Sequence, residues 1–172
     1  MKDIVGEAIL FDMYYAAQDP IALMGENREP PKVQVLPVSE ETPQFRNIFI
    51  TNAVCNGAQK AIFVRGLPEM NIINIVLKDM VLQAAEGLDM TEGSSITLQN
   101  VLLITKNTNP VMNIHNSRNI TLNKVGYKSA EVLLNVTGDK SAGISLSGTD
   151  TKKAAKSVEF NFGATPSAVK MK

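Results

Sequence analysis

The sequence has no tryptophan, a single cysteine (Cys55), a single histidine (His115), and aromatic residues at only 5%. Each scarcity excludes something. A lone cysteine cannot form an intrachain disulfide and leaves the redox compartment open. One Cys and one His cannot build a zinc site of the Cys/His type, and no other metal or cofactor is expected. So few aromatics argue against a stacking platform for single-stranded nucleic acid. Neither sign of charge is in excess, with 17 basic and 17 acidic side chains. Such a chain lacks the basic footprint that nucleic acid or an anionic membrane requires. No apolar run approaches the roughly 20 residues that span a bilayer. The opening Met1-Lys2-Asp3-Ile4-Val5-Gly6-Glu7 has no signal-peptide pattern, and the chain is expected to be soluble. What remains is ordinary: 172 residues, 44% apolar and 20% charged, enough for one domain with a sizeable core.

The main signal is a repeat. Asn47-Ile48-Phe49-Ile50-Thr51-Asn52 returns as Asn74-Ile75-Val76-Leu77-Lys78-Asp79 and as Ser95-Ile96-Thr97-Leu98-Gln99-Asn100. It continues as Asn119-Ile120-Thr121-Leu122-Asn123-Lys124 and, more weakly, Gly143-Ile144-Ser145-Leu146-Ser147-Gly148. Each phrase has aliphatics at i and i+2, which fall on one face of a strand. A second strand follows each phrase by about half a period: 61–64, 87–90, 111–114, 132–136 and 158–162. The intervening segments lack a clean helical period, so neither a leucine-rich repeat nor a βαβ sheet fits. The reading is all-β: a right-handed parallel β-helix, with 1–172 as a single domain. Ile48, Ile75, Ile96, Ile120 and Ile144 should form one interior ladder. Ile50, Leu77, Leu98, Leu122 and Leu146 should form another. Asn47, Asn74 and Asn119 should occupy turns, where asparagine tolerates left-handed backbone.

Ala8-Ile9-Leu10-Phe11 matches Ala61-Ile62-Phe63-Val64, the second strand of a coil. The chain is therefore expected to begin inside a coil, as an N-terminally truncated solenoid whose opening phrase is missing or reduced to Met1–Ile4. An uncapped end would suit further upstream coils or a homodimer through that face. Residues 16–44 interrupt the pattern and read as a Pro-rich inserted loop, with a short extended stretch at Val33-Gln34-Val35-Leu36. Residues 163–172 are expected to fray.

Three segments carry a family resemblance: Phe45-Arg46-Asn47-Ile48-Phe49-Ile50, Ala61-Ile62-Phe63-Val64-Arg65-Gly66-Leu67-Pro68-Glu69 and Asn74-Ile75-Val76-Leu77-Lys78-Asp79. They resemble the C-terminal coils of bacterial polygalacturonases, glycoside hydrolase family 28. The opening Ala8-Ile9-Leu10-Phe11-Asp12-Met13-Tyr14-Tyr15 looks like the coil just after that family's last catalytic motif. The resemblance implies a pectin-lyase-like β-helix and a secreted or periplasmic parent that hydrolyses galacturonan with inversion. An inverting glycosidase needs two carboxyls about 6.5–9.5 Å apart. The family's Asn-Thr-Asp, Asp-Asp, Gly-His-Gly and Arg-Ile-Lys strings are all absent from this sequence. No catalytic residue is therefore assigned. The expectation is a C-terminal part of such a hydrolase, inactive alone, or a non-catalytic carbohydrate-binding or structural module.

Tyr14, Tyr15, Arg65 and Glu69 are the candidates for contact with an acidic polysaccharide. Arginine can grip a uronate carboxylate with two hydrogen bonds, and tyrosine offers a ring face and a hydroxyl. The plainer reading is an exposed ion pair beside packed aromatics. Glu86, Asp89 and Glu92 crowd one strand, with Asp89 expected to point outward, and read best as a solvated rim. His115 lacks a partner for nucleophilic catalysis. Cys55 reads as a small structural residue near a turn. Asn119-Ile120-Thr121 and Asn135-Val136-Thr137 match glycosylation acceptors.

Overall fold

The structure, a computed structural model, describes residues 1–14 and 34–172. Tyr15 and most of the inserted loop lie outside the described residues. In chain order the strands are β1 (Glu7–Asp12), β2 (Arg46–Thr51), β3 (Val54–Asn56), β4 (Lys60–Arg65), β5 (Ile72–Ala84), β6 (Glu86–Thr91) and β7 (Gly93–Thr105). They continue as β8 (Met112–His115), β9 (Thr121–Tyr127), β10 (Ala130–Thr137), β11 (Ile144–Ser147), β12 (Ala154–Asn161) and β13 (Val169–Met171). Two sheets result. A six-stranded sheet runs β1-β4-β6-β8-β10-β12, and a seven-stranded sheet runs β13-β11-β9-β7-β5-β2 with β3 also on β5. Every ladder between these strands is parallel. Apart from β2 and β3, which lie in the same sheet, successive strands alternate between sheets, and each bonds to its counterpart one coil away. This is the β-solenoid expected from the repeat. Among the described residues the only helical pieces are single 3-10 turns at Thr151–Lys153 and Pro166–Ala168. None is long and apolar enough to cross a membrane.

The repeat sets the core. Ile48, Ile75 and Ile96 stand in register, as do Ile50, Leu77, Leu98, Leu122 and Leu146. Ile75, Ile96, Ile120, Ile144, Leu77, Leu98 and Leu122 are fully buried. Burying each such side chain stabilises by roughly 1.5–3 kcal/mol before chain entropy is subtracted. Ile48 and Ile50, on the end strand β2, are only half-buried. The opposite wall comes from the six-stranded sheet, whose inward rows include Ile62–Leu88–Met112–Leu134 and Val64–Met90–Ile114–Val136. The match of Ala8–Phe11 to Ala61–Val64 is literal stacking: Ile9 lies on Ile62 and Phe11 on Val64.

Each coil also has a third face, for which the repeat phrase gives no warning. β5 and β7 run 13 residues and bend midway. Their second halves stack with β3 and the end of β9, aligning Cys55, Leu82, Leu103 and Tyr127 in an interior row. Cys55 is thus a buried strand residue, two positions before the left-handed Gly57. The bend falls on Asp79 and Asn100, both left-handed with φ of 55°. Asn52, Lys124 and Gly148 share that conformation and complete the corner. Asn47, Asn74, Ser95, Asn119 and Gly143 form a second left-handed column ahead of the repeat strands. Asparagine suits such a column because its short amide satisfies local backbone and neighbouring side chains. Asn74 Nδ2 donates to Asn47 Oδ1 at 2.7 Å, and Asn100 Nδ2 to Asp79 Oδ1 at 2.8 Å.

Three expectations change. Met1–Ile4 is not a reduced repeat phrase: the Met1 amino group donates to Val54 O, and Lys2 bridges to Asn56. The segment therefore lies along the third face. Residues 34–38 carry no strand and are exposed. The tail does not fray: β13 pairs with β11, and Ala168 is buried beneath it. Its Val169 meets Ile144, which extends the interior ladder by one rung.

Candidate functional site

Alternation in the six-stranded sheet sends every other side chain outward. Because coils stack in register, outward residues form rows along the solenoid axis. One row is Leu10, Phe63, Asp89, Asn113, Asn135 and Glu159. Its neighbour is Asp12, Arg65, Thr91, His115, Thr137 and Asn161. The rows begin apolar and charged, become polar and uncharged over the middle coils, and end on Glu159, which is paired with Lys156, and on Asn161.

At the charged end, Arg65 Nε donates to Asp12 Oδ1 at 2.9 Å, and its Nη2 donates to Asp12 Oδ2. The guanidinium lies 5.0 Å from the Tyr14 ring centroid and 5.4 Å from that of Phe63. Lys60 Nζ lies 4.8 Å from the same Phe63 ring, 2.8 Å from Asp89 Oδ2 and 3.2 Å from Glu86 Oε2. Burial pushes the Asp12 carboxyl up, but hydrogen bonds from Arg65 and the Tyr14 N–H, with Arg65's charge, hold it below its ordinary value. Burial would lower the Lys60 ammonium, yet Asp89 and Glu86 together raise it. Burial raises the Asp89 carboxyl, partly offset by Lys60 and Asn113.

From Asp89 the polar row continues as a chain of amides. Asn113 Nδ2 donates to Asp89 Oδ1 at 3.3 Å, and Asn135 Nδ2 to Asn113 Oδ1 at 3.0 Å. Asn161, set one alternate position along, reaches diagonally to donate to Asn135 Oδ1 at 2.9 Å. Beside this ladder His115 Nδ1 lies 2.8 Å from Thr137 Oγ1. Burial, with Asp139 raising and Lys140 lowering, brings the imidazole down to about 4, so it is neutral at physiological pH.

The corner beyond these strands holds a second polar knot. Glu92 is 4% exposed. It accepts from Asn71 Nδ2 at 3.0 Å, and Lys140 Nζ approaches its Oε1 at 3.9 Å. Arg118 Nη2 donates to Asn71 Oδ1 at 3.4 Å, tying the turn after β4 to the corner. Burial raises the Glu92 carboxyl against the pull of Lys140, Asn71, Asn116 and Arg118. The expected solvated rim is therefore corrected: Asp89 and Glu92 are both buried. Asp89 does point outward, but Lys60 and Asn113 cover it.

Of the sugar-contact candidates, the structure brings Tyr14 and Arg65 together, with Asp12 occupying the guanidinium. Glu69 sits in the tight turn Leu67–Met70, and its buried Oε2 has no hydrogen-bond partner. The Asn119 acceptor occupies a left-handed turn, and the Asn135 amide is engaged in the ladder. No group of three or more His, Cys, Asp or Glu side chains among the described residues could hold a metal ion.

Sequence reasoning missed Asp12, Lys60 and the ladder Asn113–Asn135–Asn161. The signal was an asparagine on the outward alternation of three successive second strands, legible only once their register is known. No protein-family model, no curated protein and no solved structure matches this chain.

Proposed function

We propose that the chain is a non-catalytic β-helical module that binds polysaccharide along the outward face of the six-stranded sheet. The observation that carries this reading is the unbroken amide ladder Asn113–Asn135–Asn161 alongside Thr91, His115 and Thr137. A repeating polymer is best met by a surface that repeats along a line. Amides, hydroxyls and an uncharged imidazole are the groups that exchange hydrogen bonds with sugar hydroxyls. Asn113, Asn135, Asn161, Thr91 and His115 are half-buried, so the row is both held in place and reachable. The two cations described at the charged end, Lys60 and Arg65, are each engaged by carboxylates.

The polygalacturonase resemblance supports a carbohydrate role and makes galacturonan the first polymer to test. It also supports a second reading, in which these coils belong to a hydrolase whose acid and base lie on other coils. A calorimetric titration of this chain with pectic and neutral polysaccharides separates the two. Saturable binding, lost in Asn135→Ala with the melting temperature preserved, supports the module. Failure to bind any polymer, with hydrolysis gained when upstream coils are supplied, supports the hydrolase. The end-on homodimer belongs to the same proposal. Ile48 and Ile50 on β2 are the side chains it would cover, and a monomer by light scattering at high concentration would remove it.

A further inference from the structure

Resting on the module reading, we infer that the ligand is a neutral, hydroxyl-rich polysaccharide laid along the solenoid axis, and that polyuronates are disfavoured. The hydrogen-bond inventory of the ladder carries this. A side-chain amide has two N–H donors and an oxygen with two lone pairs. Asn135 spends one donor on Asn113 and one lone pair on Asn161. It therefore presents to solvent one donor and one acceptor. A sugar hydroxyl also donates and accepts, so it can satisfy both at once. A carboxylate only accepts, and would leave the amide oxygen facing an oxygen. His115 repeats the logic: its Nδ1 is taken by Thr137, and the neutral ring adds no positive charge to the face.

The charges point the same way. At the head of the rows, among the described residues, two cations, Lys60 and Arg65, meet three carboxylates, Asp12, Glu86 and Asp89. Arg65 holds Asp12 through both Nε and Nη2, so a uronate would have to displace an intramolecular carboxylate from the same fork. A like charge brought to such a site is rejected more than it is gripped. The direction of the ligand follows from the stacking. The amide rungs recur once per coil, at the spacing of about 4.8 Å between neighbouring strands. Successive sugars therefore meet successive rungs when the polymer runs parallel to the axis.

The test is calorimetric titration of the full chain with neutral oligosaccharides (cello-, xylo- and galacto-oligomers) and with oligogalacturonates of matched lengths. The neutral series is expected to bind about tenfold tighter or more, with little dependence on salt. Affinity should rise with length and level off once the oligomer spans Asp89 to Asn161. Asn135→Ala and, near the end of the stack, Asn161→Ala should each lose binding while melting as the parent does. Tighter, salt-sensitive binding of oligogalacturonate overturns this inference and leaves the module reading standing. Neutral binding indifferent to both asparagine variants also overturns it. Failure of every oligomer and polymer to bind overturns both.

Discussion

Lys60 reaches across one coil to place its ammonium 2.8 Å from Asp89, a carboxylate only 6% exposed. Both partners were drawn out of water by the stacking of β4 on β6, and each is the other's compensation. Removing one leaves a buried charge alone; removing both leaves an apolar contact. Lys60→Met should therefore destabilise the fold by about 3 kcal/mol in urea denaturation. Lys60→Met combined with Asp89→Leu should recover to within about 1 kcal/mol of the parent. Glu86→Gln should cost less than about 1 kcal/mol, because that half of the cluster is solvent-screened. Additive single-site losses in the double variant would contradict the coupling.

The interior rows make a sharper contrast. Ile96 and Leu98 are fully buried on β7, whereas Phe49 on β2 is 63% exposed. Leu98→Ala removes packed atoms and leaves a cavity, at a cost of about 2–5 kcal/mol. Ile96→Asp puts an unpaired carboxylate between Ile75 and Ile120 and should leave no folded population. Phe49→Ser should stay within about 0.5 kcal/mol of the parent. Circular dichroism melts of the three variants check the order. A folded Ile96→Asp chain would mean that the ladder is not the core.

The rungs were legible because the repeat is written in the sequence: aliphatics at i and i+2, flanked by left-handed asparagines. The third face was not, because Val54–Asn56 and the second half of β5 share no phrase; only a bend at Asp79 reveals them. The functional face was hidden for another reason. Asn113, Asn135 and Asn161 are ordinary polar residues at spacings that differ from coil to coil. Their alignment depends on how many residues each corner consumes. Burial of Asp89 and Glu92 was likewise unreadable, since their cover comes from Lys60 and Asn71, distant in sequence. Arg65 was named as a contact for a sugar carboxylate, whereas the carboxylate it grips in the structure is that of Asp12, 53 residues earlier.

Gly138 marks where the corner is tightest. Its φ is 85°, and a Cβ there would meet Asn116 Oδ1 at 2.1 Å and His115 Cε1 at 3.0 Å. Gly138→Ala suffers both the left-handed penalty and the clash, about 2–3 kcal/mol together. Asn116 is itself left-handed with φ of 46°, so Asn116→Gly removes the obstructing amide without strain. In that background Gly138→Ala should cost only about 1–2 kcal/mol, the backbone share. Equal costs in both backgrounds, measured by urea unfolding, would show that the amide is not what forbids the side chain.

The pH dependence should carry two opposed signatures from neighbouring coils. The unfolded chain protonates His115 below about 6.5, whereas the folded chain resists until about 4. Between those values the unfolded state binds more protons, so stability is full above the window and is lost as pH falls through it. The loss amounts to roughly 3 kcal/mol. Glu92 acts the other way. Burial raises its carboxyl, so above its ordinary value the folded state holds the proton longer, and stability falls as pH rises through that window. His115→Gln should flatten the acid limb from about 6.5 downward. Glu92→Gln, which keeps the Asn71 contact without a charge, should steepen the net acid loss while leaving the neutral-pH midpoint unchanged or higher. Urea midpoints across the acid range read both at once. An acid limb unaltered by His115→Gln would mean that burial does not hold the imidazole neutral in the folded state.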